Sequence, residues 1–76
     1  MLLRLPKIGM EMTEAVFVGW LAADGAVVAK GQPIYEIETD KVANEIEAPA
    51  PGILRHLATE QATYAVGDPV GEIVEA

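Results

Sequence analysis

Short runs of β-branched and aromatic residues alternate with glycine and proline along this chain, a pattern typical of an all-β fold. The pattern predicts four main strands, at residues 15–21, 33–38, 42–48 and 70–74. The segment PAPG at residues 49–52 interrupts the chain near its middle. No stretch longer than about ten residues keeps a helical period, so no helix is predicted.

A seven-residue pattern occurs twice. Residues 31–37 (GQPIYEI) and 67–73 (GDPVGEI) share Gly, Pro, Glu and Ile at an offset of 36. Upstream, residues 19–21 (GWL) match residues 52–54 (GIL) at an offset of 33, which predicts three extra residues in the second copy, around residues 58–62. Neither half could bury its apolar face alone. The repeat therefore predicts a sandwich or flattened barrel with pseudo-twofold symmetry and one shared core.

A hairpin is predicted around Asp40 and Lys41. If these two residues form the loop, the opposed pairs are Thr39 with Val42, Ile37 with Asn44, and Tyr35 with Ile46. One face then carries Tyr35, Ile37, Val42 and Ile46, and the other carries Glu36, Glu38, Glu45 and Glu47 together with Ile34 and Ala43. A slip by one residue would mix the two faces. Slips by two residues keep them sorted, and aspartate at the start of the turn favours the register in which Asp40 and Lys41 form the loop. Lys41 is then expected at an exposed tip, among carboxylates.

Composition and charge exclude several classes of function. The chain has 76 residues, 51% of them hydrophobic, and a net charge of −7. A domain this small buries only about 60% of its unfolded surface, so an enclosed active-site pocket is not expected. The acidic balance argues against binding to nucleic acid or to anionic lipid. No apolar run approaches the roughly 20 residues that span a bilayer. Without cysteine or serine, the chain has no thiolate metal site, cysteine nucleophile or serine triad.

Residues 36–42 (EIETDKV) resemble the modification loop of lipoyl domains, the carriers of the 2-oxo acid dehydrogenase complexes. The similarity covers about seventy residues and includes residues 5–14, 24–32, 47–52 and 65–67. The resemblance implies an all-β fold over residues 1–76, a flattened barrel or barrel-sandwich hybrid of two four-stranded sheets. The chain departs from the family at Ala15 and Gln61, where many members have glycine. These departures concern local backbone geometry and not the modification loop.

The resemblance also implies a cofactor and a function. Lipoic acid would be amide-linked to Lys41, and the flanking Glu38, Asp40 and Val42 would serve recognition by the modifying enzyme and by partners. The swinging arm would be reductively acylated by a thiamine-dependent decarboxylase, would pass its acyl group to coenzyme A on an acyltransferase catalytic domain, and would be reoxidised by dihydrolipoamide dehydrogenase. A lipoate–protein ligase or lipoyl transferase would load it. The domain itself is then a carrier without catalytic residues or a metal site.

The same resemblance places the chain in a larger protein and a compartment. We expect the N-terminal domain of a dihydrolipoamide acyltransferase subunit, serving a 2-oxo acid or acetoin dehydrogenase complex. The isolated domain is expected to be a monomer. The expected location is a bacterial-type cytoplasm, or the mitochondrial matrix for a mature eukaryotic domain.

Two alternatives stay open at this point. A biotinyl carrier has the same architecture, but biotin carriers usually place methionine on both sides of the target lysine, where this chain has Asp40 and Val42. An unmodified sandwich could act only as an interaction module. Residues 8–14 form either a loop for recognition by the decarboxylase or an ordinary polar loop. His56, the one histidine, is more readily explained by packing than by catalysis or metal binding.

Overall fold

The computed structural model describes residues 1–40 and 42–76, and within them it contains eight β-strands and no helix. The strands are β1 (Leu2–Arg4), β2 (Glu14–Trp20), β3 (Val27–Val28), β4 (Pro33–Glu38), β5 (Ala43–Glu47), β6 (Gly52–His56), β7 (Ala62–Ala65) and β8 (Pro69–Val74). The four predicted strands correspond to β2, β4, β5 and β8. In this part of the chain, no helix has the length and apolarity that crossing a membrane requires.

Two four-stranded antiparallel sheets form the domain. The first sheet has the order β1-β8-β6-β3 and the second has the order β5-β4-β2-β7. The strands of the two sheets are not joined into a closed barrel. The prediction of an all-β fold with two four-stranded sheets is confirmed. The four strands that the sequence pattern did not predict, β1, β3, β6 and β7, have only two to five residues each.

The core lies between the sheets and draws side chains from both. Its largest fully buried members are Tyr35, Phe17, Leu5, Ile34, Ile37, Leu54, Val28 and Val70. In β2, buried Ala15 and Phe17 alternate with more exposed residues, as expected for a strand with one face on the core. The ring of Phe17 stacks on Tyr35 with centroids 5.0 Å apart and contacts Trp20 at 4.8 Å. Burial of each such side chain contributes about 1.5–3 kcal/mol to stability.

The two halves of the chain are related by a pseudo-twofold arrangement. Replacing β1, β2, β3 and β4 by β5, β6, β7 and β8, and the reverse, converts the strand order of one sheet into that of the other. Each sheet therefore contains two strands from each half, and the shared core follows directly. Gly31 and Gly67, which begin the repeated pattern, both have positive φ, 87° and 93°. The predicted pseudo-symmetry is confirmed.

The predicted three-residue insertion in the second half is wrong. Trp20 pairs with Tyr35, and His56 pairs with Gly71, so both pairs are related by the offset of 36. The same offset relates the backbone hydrogen bonds from Leu21 to Ile34 and from Leu57 to Val70. The GWL and GIL segments are not equivalent, because Gly19 lies near the end of β2 whereas Gly52 begins β6. That short match was a coincidence of composition.

The equivalent residues Trp20 and His56 stack on each other, with centroids 4.0 Å apart and ring planes 5° from parallel. Trp20 Nε1–H donates to the carbonyl of Ala58 at 3.2 Å. His56 Nε2 lies 2.8 Å from the carbonyl of Ala22, the equivalent partner, so this nitrogen must carry the proton. The two reciprocal contacts connect the halves and give His56 a packing role.

The two departures from the family differ in their consequences. Gln61 has φ 67°, and its pseudo-symmetric counterpart Gly25 has φ 85°. Among the described residues, Gln61 alone has positive φ without being glycine. Its side-chain Nε2 donates to the carbonyl of Val18 at 2.8 Å. Ala15 has an ordinary strand backbone and is buried, so alanine fits its position without strain.

Candidate functional site

The hairpin of β4 and β5 has the register that the sorting of its faces predicted. Tyr35 lies opposite Ile46 and Ile37 lies opposite Asn44. Tyr35 and Ile37 are buried, whereas the glutamates on the other face, Glu36, Glu38, Glu45 and Glu47, are half-buried or exposed. The alternation of apolar and acidic residues excludes every odd slip, because an odd slip would bury carboxylates.

The turn is closed by Thr39 and Val42. The Thr39 N–H donates to the Val42 carbonyl at 2.8 Å, and the Thr39 hydroxyl donates to the same oxygen at 3.4 Å. These bonds leave two residues, at positions 40 and 41, between the bonded pair. Lys41 lies outside the described residues, so its role as the attachment site stays a prediction. The structure shows Glu38 and Asp40 exposed and Val42 half-exposed, as suits recognition from solvent.

One residue of the hairpin lies on a different face from the one predicted. Ile34 was placed among the glutamates, but it is fully buried beside Tyr35. The register shifts between Pro33 and Tyr35, and this irregularity turns two consecutive side chains toward the core. Its counterpart Val70, skipped between Gly71 and Pro69 in the pairing with β1, is fully buried as well.

The hairpin has its charged residues on the outer face and its buried residues on the inner face. Glu36 and Glu45 are directly opposed on the outer face, where like charges cost a few tenths of a kcal/mol, up to about 1 kcal/mol. On the inner face, burial raises the pKa of the Tyr35 hydroxyl to about 12. Tyr35 is therefore neutral at physiological pH, and the acidic residues are held in contact with water.

An open groove with a volume of about 990 Å³ separates the hairpin from the loop that precedes β2. Its apolar lining comes from Ile8, Met12, Ala15, Val16 and Val42. The carboxylates of Glu11, Glu14, Glu38 and Asp40 also line it. The loop 8–14, which the sequence singled out, thus shares a surface with the hairpin. Sequence reasoning missed the groove itself, although the loop has three large apolar residues, two of which, Ile8 and Met12, line the groove.

The loop is held in place by a small set of bonds. The Met12 N–H donates to the Gly9 carbonyl at 3.1 Å, and the Ile8 N–H donates to Met12 Sδ at 3.4 Å. The Val66 N–H donates to the Thr13 carbonyl at 3.0 Å. The Met12 side chain packs partly buried against the core. The loop therefore has a defined conformation next to the hairpin and not only a polar composition.

Within residues 1–40 and 42–76, no three or more His, Asp or Glu side chains are grouped as a metal site would require. The glutamates of β4 and β5 spread along an open sheet face, and His56 stacks on Trp20 from a strand of the other sheet. The hairpin and its groove are accordingly the candidate site.

Comparison with known proteins gives a family and several relatives. The model for biotin and lipoyl attachment, described as "Biotin-requiring enzyme", matches residues 2–73. The acetyltransferase component of the acetoin cleaving system of Pseudomonas putida, named for its dihydrolipoyllysine residue, is 38% identical over 74 residues, which are 96% of this chain and 20% of that protein. The dihydrolipoyllysine-residue succinyltransferase of the 2-oxoglutarate dehydrogenase complex of Rickettsia conorii is 39% identical over 72 residues, 93% of this chain and 18% of that protein.

The solved structures give the same result for the fold. The chain is similar to the lipoyl domain of the 2-oxoglutarate dehydrogenase complex from Azotobacter vinelandii, with a TM-score of 0.78 and 27% identity. This match covers 96% of the present chain and 94% of the other. The chain thus covers nearly all of that solved domain, but it spans about a fifth or less of the length of the curated relatives that it matches.

Proposed function

The chain belongs to the family of biotin- and lipoyl-attachment domains, and from this premise we propose that it is a lipoyl carrier domain with Lys41 as its attachment site. The observation that carries the proposal is the β4–β5 hairpin. Its closing bond joins Thr39 to Val42, and in the sequence Lys41 is the second of the two residues between this bonded pair. A lysine in such a turn is accessible to a modifying enzyme and is separated from the packed core.

The residues around the turn fit a lipoyl group. A covalently held arm needs an anchor with a fixed direction and needs no enclosed pocket at its root. The paired strands supply the direction, and the exposed Glu38 and Asp40 with half-exposed Val42 supply surface for recognition. When bound, the lipoyl group supplies a disulfide that can accept an acyl group and two electrons. The chain contains no cysteine, so this chemistry has to come from a cofactor.

The partners follow from the names of the relatives. These proteins are acyltransferase components of acetoin, 2-oxoglutarate and pyruvate systems. We extend to this chain the role of carrier domain in a dihydrolipoamide acyltransferase subunit. Its arm would visit a thiamine-dependent decarboxylase, an acyltransferase catalytic domain and dihydrolipoamide dehydrogenase, after loading by a lipoate–protein ligase or lipoyl transferase. In this role the domain is a substrate of those enzymes and contributes no catalytic residue.

The biotinyl alternative is not favoured. The acetoin and 2-oxoglutarate relatives are named for a dihydrolipoyllysine residue, and the similar solved domain is a lipoyl domain. The residues next to Lys41 are Asp40 and Val42 and not the methionines that flank a biotinylated lysine. The interaction-module alternative differs from both carriers in one respect, since it would need no modification of Lys41.

The test is the intact mass of the protein after incubation with lipoate, ATP and a lipoate–protein ligase. We expect a gain of one lipoyl group in the native sequence. Lys41→Ala should gain nothing, and Lys7→Ala should still gain one group because Lys7 lies in the loop before β2. A parallel reaction with biotin and a biotin–protein ligase should leave the mass unchanged.

Three results would count against the proposal. A biotin gain alone would assign carboxyl carriage. A lipoyl gain that persists in Lys41→Ala would move the attachment site elsewhere. No gain in either reaction, from protein with a folded circular dichroism spectrum, would leave the interaction module as the explanation.

A further inference from the structure

We propose that the groove between the loop 8–14 and the hairpin is a resting site for the lipoyl arm, which lies on its apolar surface between visits to partner enzymes. This inference rests on the proposed lipoylation of Lys41. It assigns to the domain a noncovalent binding surface for its own cofactor, in addition to the covalent anchor.

The position of the groove supports the proposal. Asp40 and Val42, the sequence neighbours of Lys41 on either side, both line it. Val42 presents a half-exposed isopropyl group there. An arm anchored between these two residues therefore begins at the edge of the groove. Because the anchor is covalent, the local concentration of the arm is high, and even weak contacts give substantial occupancy.

The lining of the groove has the apolar character that an alkyl chain and a dithiolane ring require. Met12, Val16 and buried Ala15, here called the apolar floor, line it together with Ile8 of the loop. Ile8 keeps 41% of its surface exposed, although a large apolar side chain in a loop would ordinarily be covered where it can be. A lipoyl chain would cover it without any rearrangement of the strands.

The floor is ordered before any ligand arrives. The Ile8 N–H donates to Met12 Sδ at 3.4 Å, and the Met12 side chain packs against the core. This bond fixes the direction of a side chain that is otherwise the most adaptable of the apolar residues. A thioether is also a favourable neighbour for a disulfide ring, since both groups are polarisable and neither needs a hydrogen-bond partner.

The negative charge around the groove favours a neutral ligand over an anionic one. Four carboxylates, those of Glu11, Glu14, Glu38 and Asp40, line the groove beside its apolar floor. They repel anionic ligands such as phosphates or free carboxylic acids. Amide formation removes the positive charge of lysine and attaches a neutral apolar chain. The modified arm therefore meets no electrostatic penalty in the groove, while free lipoate would.

The open shape suits a resting site and not a storage pocket. The volume of about 990 Å³ lies at the upper end of the range for ligand sites, but the groove is open to solvent and not enclosed. An arm lying in it can leave without a change in the fold. This is required of a carrier whose arm must also enter the active sites of other proteins.

The experiment uses the lipoylated protein with ¹³C-labelled methionine and valine methyl groups. Intact mass first establishes that one lipoyl group is present, so failure of the proposed function is recognised at this step and separately. Nuclear Overhauser effects are then measured between the dithiolane protons and the methyl groups of Met12 and Met10. We expect contacts to Met12, which lines the groove, and none to Met10, which does not line it and is 94% exposed.

Two variants make the test specific. Met12→Gln should remove the polarisable floor and abolish the contacts of the arm with the Val16 methyl groups, while its lipoyl gain by mass stays complete. Met10→Gln, two residues away in the same loop, should leave those contacts intact. An octanoyl group attached in place of lipoyl should make contacts with Met12 through its chain. Lipoylated native protein without contacts to Met12, or contacts to Val16 unchanged in Met12→Gln, would overturn the proposal.

Discussion

The pseudo-symmetric positions 25 and 61 allow backbone strain to be measured within one domain. Gly25 and Gln61 have similar left-handed conformations, with φ 85° and 67°. At most strand and helix positions, glycine is about 0.5–1 kcal/mol less stabilising than alanine. At positive φ the order should reverse, because a Cβ atom in the left-handed region costs about 1–2 kcal/mol.

The expected change in the free energy of unfolding for each substitution follows from the contacts at positions 25 and 61. A Cβ at Gly25 would have no heavy atom within 4 Å, so Gly25→Ala should cost only the backbone term, about 1 kcal/mol. Gln61→Ala keeps the strain and loses the bond from Nε2 to the Val18 carbonyl, so it should cost about 0.5–1.5 kcal/mol. Gln61→Gly loses the same bond but relieves the strain. It should therefore be about 1 kcal/mol more stable than Gln61→Ala and close to the native protein.

The assay is urea unfolding followed by Trp20 fluorescence, with free energies extrapolated to water. A difference of about 1 kcal/mol corresponds to about 4–8 °C in Tm for a domain of this size, so thermal melts give an independent value. Equal slopes against urea for all variants would show that the compactness of the unfolded state is unchanged. The decisive comparison is between glycine and alanine at position 61, because both lack the amide group.

If alanine at position 61 proved as stable as glycine or more stable, the reasoning would be refuted. The left-handed conformation would then either be absent in solution or carry no energetic cost. Gly25→Ala could lower the free energy of unfolding while Gln61→Gly is no more stable than Gln61→Ala. The two halves would then have the same backbone shape, but the left-handed conformation would carry a cost only at position 25.

Three further predictions use the core and the acidic face. The contribution of Tyr35 to stability should be complete below about pH 10 and should be lost as the pH rises toward 12, by up to about 2–3 kcal/mol, because the unfolded state ionises Tyr35 first; Tyr35→Phe should remove this part of the pH dependence in urea melts taken across that range. Trp20→Phe should cost about 1–3 kcal/mol, because the carbonyl of Ala58 loses its donor; since this variant has no tryptophan, its unfolding is followed by circular dichroism, and an unchanged midpoint would contradict the prediction. Glu45→Lys should raise stability by about 0.2–1 kcal/mol by pairing with Glu36, with a gain that shrinks in high salt; a gain independent of salt would exclude the electrostatic explanation.

Alternation of apolar and acidic residues, together with the aspartate at the turn, predicted the register of the hairpin. The spacing of Tyr35 and Ile37 against the glutamates excluded the odd slips, and aspartate at the start of the turn favoured the register that the structure has. The same local reasoning failed at Ile34, because the irregularity beside Pro33 depends on what packs beneath the strand. Residues 31–37 and 67–73 likewise revealed the twofold relation, since both copies build the same turn and strand.

The sequence by itself determined the class of fold, the internal symmetry and the hairpin that contains Lys41, because each depends on a periodicity of two or on a repeated local pattern. The tertiary structure decided what depends on residues far apart in the chain. The stack of Trp20 on His56 and the true offset of 36 at β6 arise from pairing across the two halves. The groove beside Met12 exists because a loop before β2 comes to lie against a turn some thirty residues later, and no local pattern encodes that contact.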